Sequence, residues 1–514
     1  MIESSRKPEF AHPLVLFQIA AVLVFALAVR LVYASGVVFD ESALIAYRAW
    51  QFADTPGISQ IARWLLSPPY SESAAVLATG LSYMLFGVSK LSSLLPGLLA
   101  SLGLLGLVFG LTSAWFGRTQ GLIAALLLAI FPLEIFVSTS LLPASLLLCL
   151  KVLTIYLSQL ARKRNIRSWY ILSFVILLLG TLSDWIVFAP AIILLLMQHF
   201  IRSDGYFTWL QRLAIIALVV FVFIPNAVVS ALALYDSVLL ILENLIYLPL
   251  LFFGLVGASR DTKVPAVRFV LVWIALEVAC LVLAAPVIRL SPTFQMLGVS
   301  AYWIQVLIPG LILSGSTFGG LVGESAARKA VILASVTAFF IVLLRVTDAG
   351  AMVQRTLDVV TRVSFGLAFL VMWLFVFLMY SKKWVASLSF AALLFTFAVG
   401  SLMVMKTYVA SYAYLKDAAV QAVDYVDTQM AEPKLVVAGD ALFARTSYLV
   451  LASEGQYSLT LNLLGQDESL LAGSLVLVEE GYLQYVFGLK PDSWLLVSEF
   501  GNPDYSQLLL YRVE

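Results

Sequence analysis

Long apolar runs separated by short polar breaks dominate positions 14–404 of the chain. A run of about 17–25 apolar residues can cross a bilayer as a helix, and on that criterion about thirteen spans are expected. They cover 14–35, 91–115, 119–137, 141–160, 168–184, 185–202, 211–232, 238–258, 267–287, 300–318, 329–345, 363–380 and 384–404. Ser73 to Val88 is also apolar, but it is interrupted by Gly80 and bounded by Gly87. At about sixteen residues it is short for a span and is read as a helix lying in, or dipping into, the outer interface. Ala43 to Ala53 has the spacing of a short amphipathic helix. In Val346 to Arg362, Met352, Leu357 and Val360 oppose Arg355, Asp358 and Arg362, the pattern of a second interfacial helix. Past Met405 the periodicity changes. Leu415 to Met430 repeats like a helix, while Leu435-Val436-Val437, Ser474 to Val478, Trp494 to Val497 and Leu508 to Tyr511 read as strands. Gly439, Gly455, Gly501 and Pro503 punctuate them. The expected architecture is a polytopic all-α membrane domain over 1–405, followed by a small α/β domain over 406–514.

Composition agrees with the pattern and adds orientation. The chain of 514 residues is 62% hydrophobic and 12% charged, with mean hydropathy +0.99. A soluble globular chain runs near half apolar and about a quarter charged. The net charge of +1 gives no basic field suited to nucleic acid. Cys149 and Cys280 both lie inside apolar runs and imply no disulfide framework. His12 and His199 only flank such runs. Pro13 to Gly36 lacks the short apolar core and small-residue cleavage site of a signal peptide, so it reads as an uncleaved first helix. With the amino terminus cytoplasmic, the inward loops carry Arg6, Lys7, Arg118, Arg162, Lys163, Arg164, Arg167, Arg202, Arg212, Arg260, Lys263, Arg268, Arg328, Lys329, Lys382 and Lys383. That is about twice the basic content of the outward loops, as the positive-inside rule requires. Counting Ser73–Val88 as a span would send Arg162-Lys163-Arg164 outward. This topology places a first outer loop over 36–90 and the C-terminal domain outside the membrane.

The candidate chemistry lies in acids near the outer face. Asp40 and Glu41 come directly after the first apolar run; in isolation, they serve equally well as a helix cap. Glu72 comes after Pro68-Pro69-Tyr70-Ser71, Glu134 after Pro132 inside the third run, and Asp184 separates the fifth from the sixth. Each has a plain alternative: a surface charge for Glu72, an internal hydrogen bond for Glu134, a turn for Asp184. Their placement at one membrane face is what favours a site, because a carboxylate there can take a proton from an acceptor hydroxyl or amine. Asp236, Glu243 and Glu277 also lie in or near apolar runs, with no role assigned. Arg289 and Arg355 border outer loops, where a guanidinium can hold phosphate or simply anchor to headgroups. No P-loop, dinucleotide fingerprint, Ser-His-Asp set or CxxC pair is present.

Arg30-Leu31-Val32-Tyr33 followed by Asp40-Glu41-Ser42 with Tyr47 and Ala49, then Pro68-Pro69, Phe86-Gly87, Trp115-Phe116-Gly117-Arg118, Phe131-Pro132 with Ser138-Thr139-Ser140, Gly180 to Ser183, and Tyr302 with Pro309, resemble in order and spacing the GT-C glycosyltransferases. The resemblance is to their branch of protein O-mannosyltransferases and aminoarabinose transferases, and it covers about residues 10–320. It implies a GT-C-like membrane domain and inverting transfer of a sugar from a polyprenyl-phosphate-linked donor to an extracytoplasmic protein, lipid or glycan in a plasma membrane. It assigns the catalytic base to Asp40 with Glu41 beside it. Glu72, Glu134, Asp184, Arg289, Arg355 and Tyr302 are then expected to bind substrate. No cofactor is fixed, and a divalent cation is left open. The chain departs from the family pattern in three places: Ala144 lacks the second acid, Ser67 replaces the His before Pro-Pro, and Asp184 stands where the family has Lys. The rival readings are a transporter or flippase of lipid-linked saccharide and a catalytically inactive GT-C-like subunit.

Overall fold

The computed structural model describes residues 13–34, 40–54, 73–141, 144–200, 263–290, 298–322, 418–429, 434–453, 457, 459–464, 473–480, 494–502 and 506–514. The expected spans over 211–232, 238–258, 329–345, 363–380 and 384–404, the interfacial helix over 346–362, Glu72 and Arg355 lie outside the described residues. The helices are α1 (Pro13–Tyr33), α2 (Asp40–Asp54), α3 (Ser73–Phe86), α4 (Lys90–Phe116), α5 (Arg118–Ala129), α6 (Pro132–Ser138), α7 (Ala144–Arg164), α8 (Arg167–Ser183), α9 (Trp185–Phe200), α10 (Pro265–Leu290) and α11 (Gly298–Val322). A helix over 418–429 (α12) and α13 (Asp440–Ala452) accompany five strands: β1 (Lys434–Val437), β2 (Thr460–Leu463), β3 (Leu475–Glu479), β4 (Trp494–Asn502) and β5 (Ser506–Val513). The chain divides into two compact units. One comprises Met1–Tyr33, Leu99–Val137 and Ala144–Met403; the other comprises Ala34–Leu98, Ser138–Pro143 and Val404–Glu514.

In the first unit the helices match the expected runs with one exception. Among the described residues α4, with 27 residues, and α7, with 21, are long and apolar enough to cross a bilayer. The face of α8 that carries Ile171, Phe174, Val175 and Leu178 is exposed. A contiguous apolar stripe of that kind marks a surface covered by something other than water. Its opposite face is buried at Ser173, whose Oγ donates to the Thr154 carbonyl of α7 at 2.9 Å. The exception is the run over 119–137, expected as one helix and found as two, α5 and α6. Pro132 has no N–H to offer the Leu128 carbonyl. That carbonyl instead accepts from Phe131 N at 3.2 Å, a tightened last turn that ends α5.

The second unit is built on two cores. The sheet runs β2-β1-β3-β5-β4; β1 pairs parallel with β2 and β3, and β5 pairs antiparallel with β3 and β4. The two-residue period of a strand sends alternate side chains to opposite faces. Leu435, Val437, Leu475, Leu477, Leu508 and Leu510 pack against Ala418, Ala422, Val423 and Val426 of α12 and Leu442 of α13. Val436, Val476, Val478, Leu509, Tyr511 and Val513 bury on the other face with Trp494. The four expected strands are found; β2 is additional, its side chains largely exposed and so without a clear apolar signal.

The second core joins the first outer loop to α13. Ala43, Ile45 and Ala46 of α2 meet Ala75 and Val76 of α3, Leu94 and Leu98 of α4, Leu141, and Ala444 and Tyr448 of α13. Pro96 interrupts the backbone ladder of α4 and leaves the Ser92 carbonyl without its helical donor; the hydroxyl of Ser82 on α3 supplies one at 2.7 Å. Gly80 is where α2 and α3 approach: a Cβ there would lie 2.5 Å from Phe52 Cδ1 and 3.1 Å from the Ala49 carbonyl oxygen. Gly80→Val is therefore expected to lower stability by about 1–3 kcal/mol, the usual cost of overpacking, seen as a lower melting temperature of the purified protein.

An ionisable pair in the sheet region gives a second check. Tyr457 Oη donates to Asp424 Oδ1 at 2.5 Å, and that bond, with lesser help from burial and from the Asp424 and Asp427 charges, pushes the phenol up to about 12. A raised folded value favours the protonated phenol, so the stabilisation is complete below the ordinary tyrosine value near 10 and fades as pH rises through about 12. A tyrosinate absorbance titration of Tyr457→Phe is expected to lack one late-ionising phenol.

Candidate functional site

Asp40 and Glu41 form the first turn of α2. Acids are favourable at that end of a helix, because free N–H groups and the helix dipole face them. The next residue fixes the helix in place. Ser42 is fully buried and its Oγ donates to the Ser140 carbonyl at 2.8 Å. Ser140 belongs to the short connection before α7, where Leu141 has φ +57°. Gly97 of α4 lies against the end of α6 just before that connection; a Cβ there would meet the Ser138 carbonyl at 3.0 Å. Within this unit, then, α2 is held at its first turn by a hydrogen bond, along its length by the α3 contact at Gly80, and on its buried face by α4 and α13.

Among the described residues, the other unit holds two buried ion pairs. Glu134, in the first turn of α6, pairs with the Arg30 guanidinium of α1, and both side chains are fully buried. Arg30 also donates to Ser101 Oγ at 2.6 Å, to the Ala26 carbonyl at 3.0 Å and to the Ala129 carbonyl at 3.1 Å. Ala129 ends α5, so its carbonyl is among those a helix leaves open. One guanidinium therefore closes the end of α5 and neutralises the acid at the start of α6. Among the described residues, Glu134 has beyond Arg30 only a long contact, 3.5 Å, from Ser145.

Lys151 of α7 and Glu277 of α10 form the second pair at 2.5 Å, each about 1% exposed. Lys151 Nζ also donates to Gln305 Oε1 of α11 at 3.0 Å, and Trp273 Nε1 donates to Glu277 at 2.7 Å. This set joins α7, α10 and α11. Sequence reading left Glu277 without a role and passed over Lys151. The signal was a lone charge of each sign in mid-run, and such charges are expected to pair in a membrane.

Asp184 is buried in the break between α8 and α9, and its Oδ1 accepts from Val187 N at 3.1 Å, capping α9. Arg289 lies in the last turn of α10 and Tyr302 near the start of α11. The sequence-assigned residues among those described thus fall on helix ends or helix breaks, and Glu134 and Asp184 are each held by a different partner. Cys149 and Cys280 are free thiols. Among the described residues, no group of three or more His, Cys, Asp or Glu side chains could hold a metal ion.

Residues 74–229 match the family model for dolichyl-phosphate-mannose-protein mannosyltransferase. Among curated proteins no sequence match is found. Two solved structures align along nearly the whole chain. The structure of ArnT from Cupriavidus metallidurans bound to undecaprenyl phosphate matches with a TM-score of 0.55 at 14% identity, covering 97% of this chain and 98% of that one. The apo structure of the same ArnT gives 0.54 at 13% identity, with 97% of each chain covered. The fold is similar to that of ArnT. The described residues are mostly helical with a small C-terminal sheet.

Proposed function

We propose that this GT-C chain is an inverting glycosyltransferase that moves a sugar from a polyprenyl-phosphate-linked donor to an extracytoplasmic acceptor. The observation that carries the reading is the fixed placement of Asp40-Glu41 at the start of α2, on a chain whose fold matches ArnT over 97% of its length. One of the matched ArnT structures binds undecaprenyl phosphate, the kind of carrier the reading requires. In this mechanism the Asp40 carboxylate takes the proton of the acceptor hydroxyl or amine. The freed heteroatom attacks the anomeric carbon, the bond from that carbon to the phosphate oxygen breaks on the opposite face, and polyprenyl phosphate leaves. Developing charge on the leaving phosphate needs cations in place beforehand; Arg289 and Arg355 are proposed for that role, and Tyr302 and Glu72 as further substrate-binding residues. The donor is a bulky amphiphile confined to the bilayer, so its headgroup meets a soluble acceptor only at the interface. The protein is placed in a plasma membrane with its amino terminus cytoplasmic and residues 406–514 outside.

The experiment is sugar transfer from labelled polyprenyl-phosphate sugars by the purified chain in liposomes, with the anomeric configuration of the product read by NMR. Transfer with inversion supports the reading. Retention overturns the mechanism, and carrier translocation without transfer favours a flippase. The departure at Ala144, which lacks the second acid, favours one other reading: a GT-C-like subunit without activity of its own, recognised by donor binding without transfer.

A further inference from the structure

The core under the sheet and the core of the first outer loop are separate, and one helix joins them. Leu442 of α13 belongs to the core under the sheet, while Ala444 and Tyr448, two and six residues on, belong to the core formed by α2, α3 and α4. Ala444 is fully buried and Tyr448 is 6% exposed. On the α2 side the contact is equally close: Ala43 and Ala46 are at most 1% exposed, and the ring of Tyr47 meets that of Phe443 edge-on with centroids 5.5 Å apart. Small residues face each other here, which brings the two helix backbones together and leaves little room for sliding.

A buried hydroxyl cluster fixes the register. Ser93 Oγ of α4 donates to the Ser89 carbonyl at 2.8 Å. Its hydrogen is thereby used, so Tyr83 Oη of α3, at 2.7 Å, and Tyr448 Oη of α13, at 3.1 Å, both donate to it. Three elements of the unit converge on one serine oxygen. Burial raises the Tyr448 phenol above its ordinary value, so it remains a donor across the physiological range.

We infer that α13 is a fixed brace for α2, and that Ala444 and Tyr448 are positioning residues which hold the first turn of α2, and with it Asp40, in working geometry. This deepens the proposed function and rests on it. The C-terminal domain then acts as a structural part of the catalytic loop, and transfer does not require it to swing between acceptor and membrane. A mobile, acceptor-presenting domain would not bury a helix face in the loop it moves against.

The full-length protein tests this through two variants, Tyr448→Phe and Ala444→Leu, and one crosslink. Hydrogen exchange of the α2 amides between Ser42 and Ala49 is expected to speed up at least ten-fold in Ala444→Leu, and to a smaller extent in Tyr448→Phe. The sheet amides of Val476 to Val478 keep wild-type protection, which separates loss of the brace from unfolding. In sugar transfer kcat falls ten-fold or more in Ala444→Leu, with the donor KM within about two-fold of wild type. Tyr47→Cys/Phe443→Cys, joined by a short bifunctional thiol reagent, keeps the activity of the same protein left unjoined. Unchanged α2 exchange in both variants overturns the brace, and so does loss of transfer on crosslinking. If the wild type transfers no sugar from any such donor, the glycosyltransferase reading falls, and the exchange of the α2 amides still decides the brace.

Discussion

Asp40→Asn lowers kcat for sugar transfer by about 100- to 10,000-fold, the range over which a general base contributes, while donor binding changes little. The substitution is close to isosteric, and asparagine serves the start of a helix about as well as aspartate. α2 is in any case held by contacts that do not involve residue 40: the Ser42 bond to the Ser140 carbonyl and the Gly80–Phe52 approach. A fall in rate with an unchanged melting temperature is therefore the expected pair of results. Glu41→Gln is expected to do less, because its place is beside the base. Steady-state rates with a labelled polyprenyl-phosphate sugar, set beside thermal unfolding of the same preparations, decide the matter. Wild-type kcat in a well-folded Asp40→Asn would remove Asp40 from the chemistry.

Arg30→Met destabilises the protein by about 3–5 kcal/mol, the cost of leaving a buried charge without its partner. Against a total of roughly 5–15 kcal/mol for a native protein, that loss lowers the yield of folded material as well as its melting temperature. The two partners are unequal. Without Arg30, Glu134 retains only the 3.5 Å contact from Ser145, and the Ala129 carbonyl loses its donor at 3.1 Å. Without the Glu134 charge, Arg30 still has Ser101 and the Ala26 and Ala129 carbonyls. Glu134→Gln is accordingly the milder change, and adding it to Arg30→Met recovers part of the loss by removing the stranded charge. Melting temperatures of the two single variants and the double variant, measured by size-exclusion thermal shift in one detergent, give the ranking. If Arg30→Met melts like wild type, the pair is not holding α1, α5 and α6 together.

These two residues show how unevenly the sequence speaks. Asp40 was found by position alone, as the acid directly after an apolar run. Arg30 was visible only as part of a matching string, although it is the partner of Glu134 and the closure of α5. Nothing in a local window says that a guanidinium at position 30 will meet a carboxylate at 134. Lys151 and Glu277 make the same point across a larger separation: each is a lone charge in an apolar run, and only the tertiary fold pairs them. Asp184, expected to bind substrate because it joins the other acids at one membrane face, caps α9, the turn role that its position between two runs also allowed.

The sequence by itself determined the elements. Apolar runs of membrane length fold as helices because, away from water, the backbone must bond within its own segment. Period-two stretches pair as strands, and the amphipathic stretch after the first run folds as α2. Those are local consequences of side-chain spacing, and they were legible. Tertiary structure decided the partners. It broke the run over 119–137 at Pro132, where a missing N–H ended one helix and Arg30 closed its end. It paired the buried charges. It also grouped the first outer loop with the C-terminal sheet region, through α13, in one unit. Burial and pairing depend on which surfaces meet in space, and spacing along the chain records only the surface each segment offers.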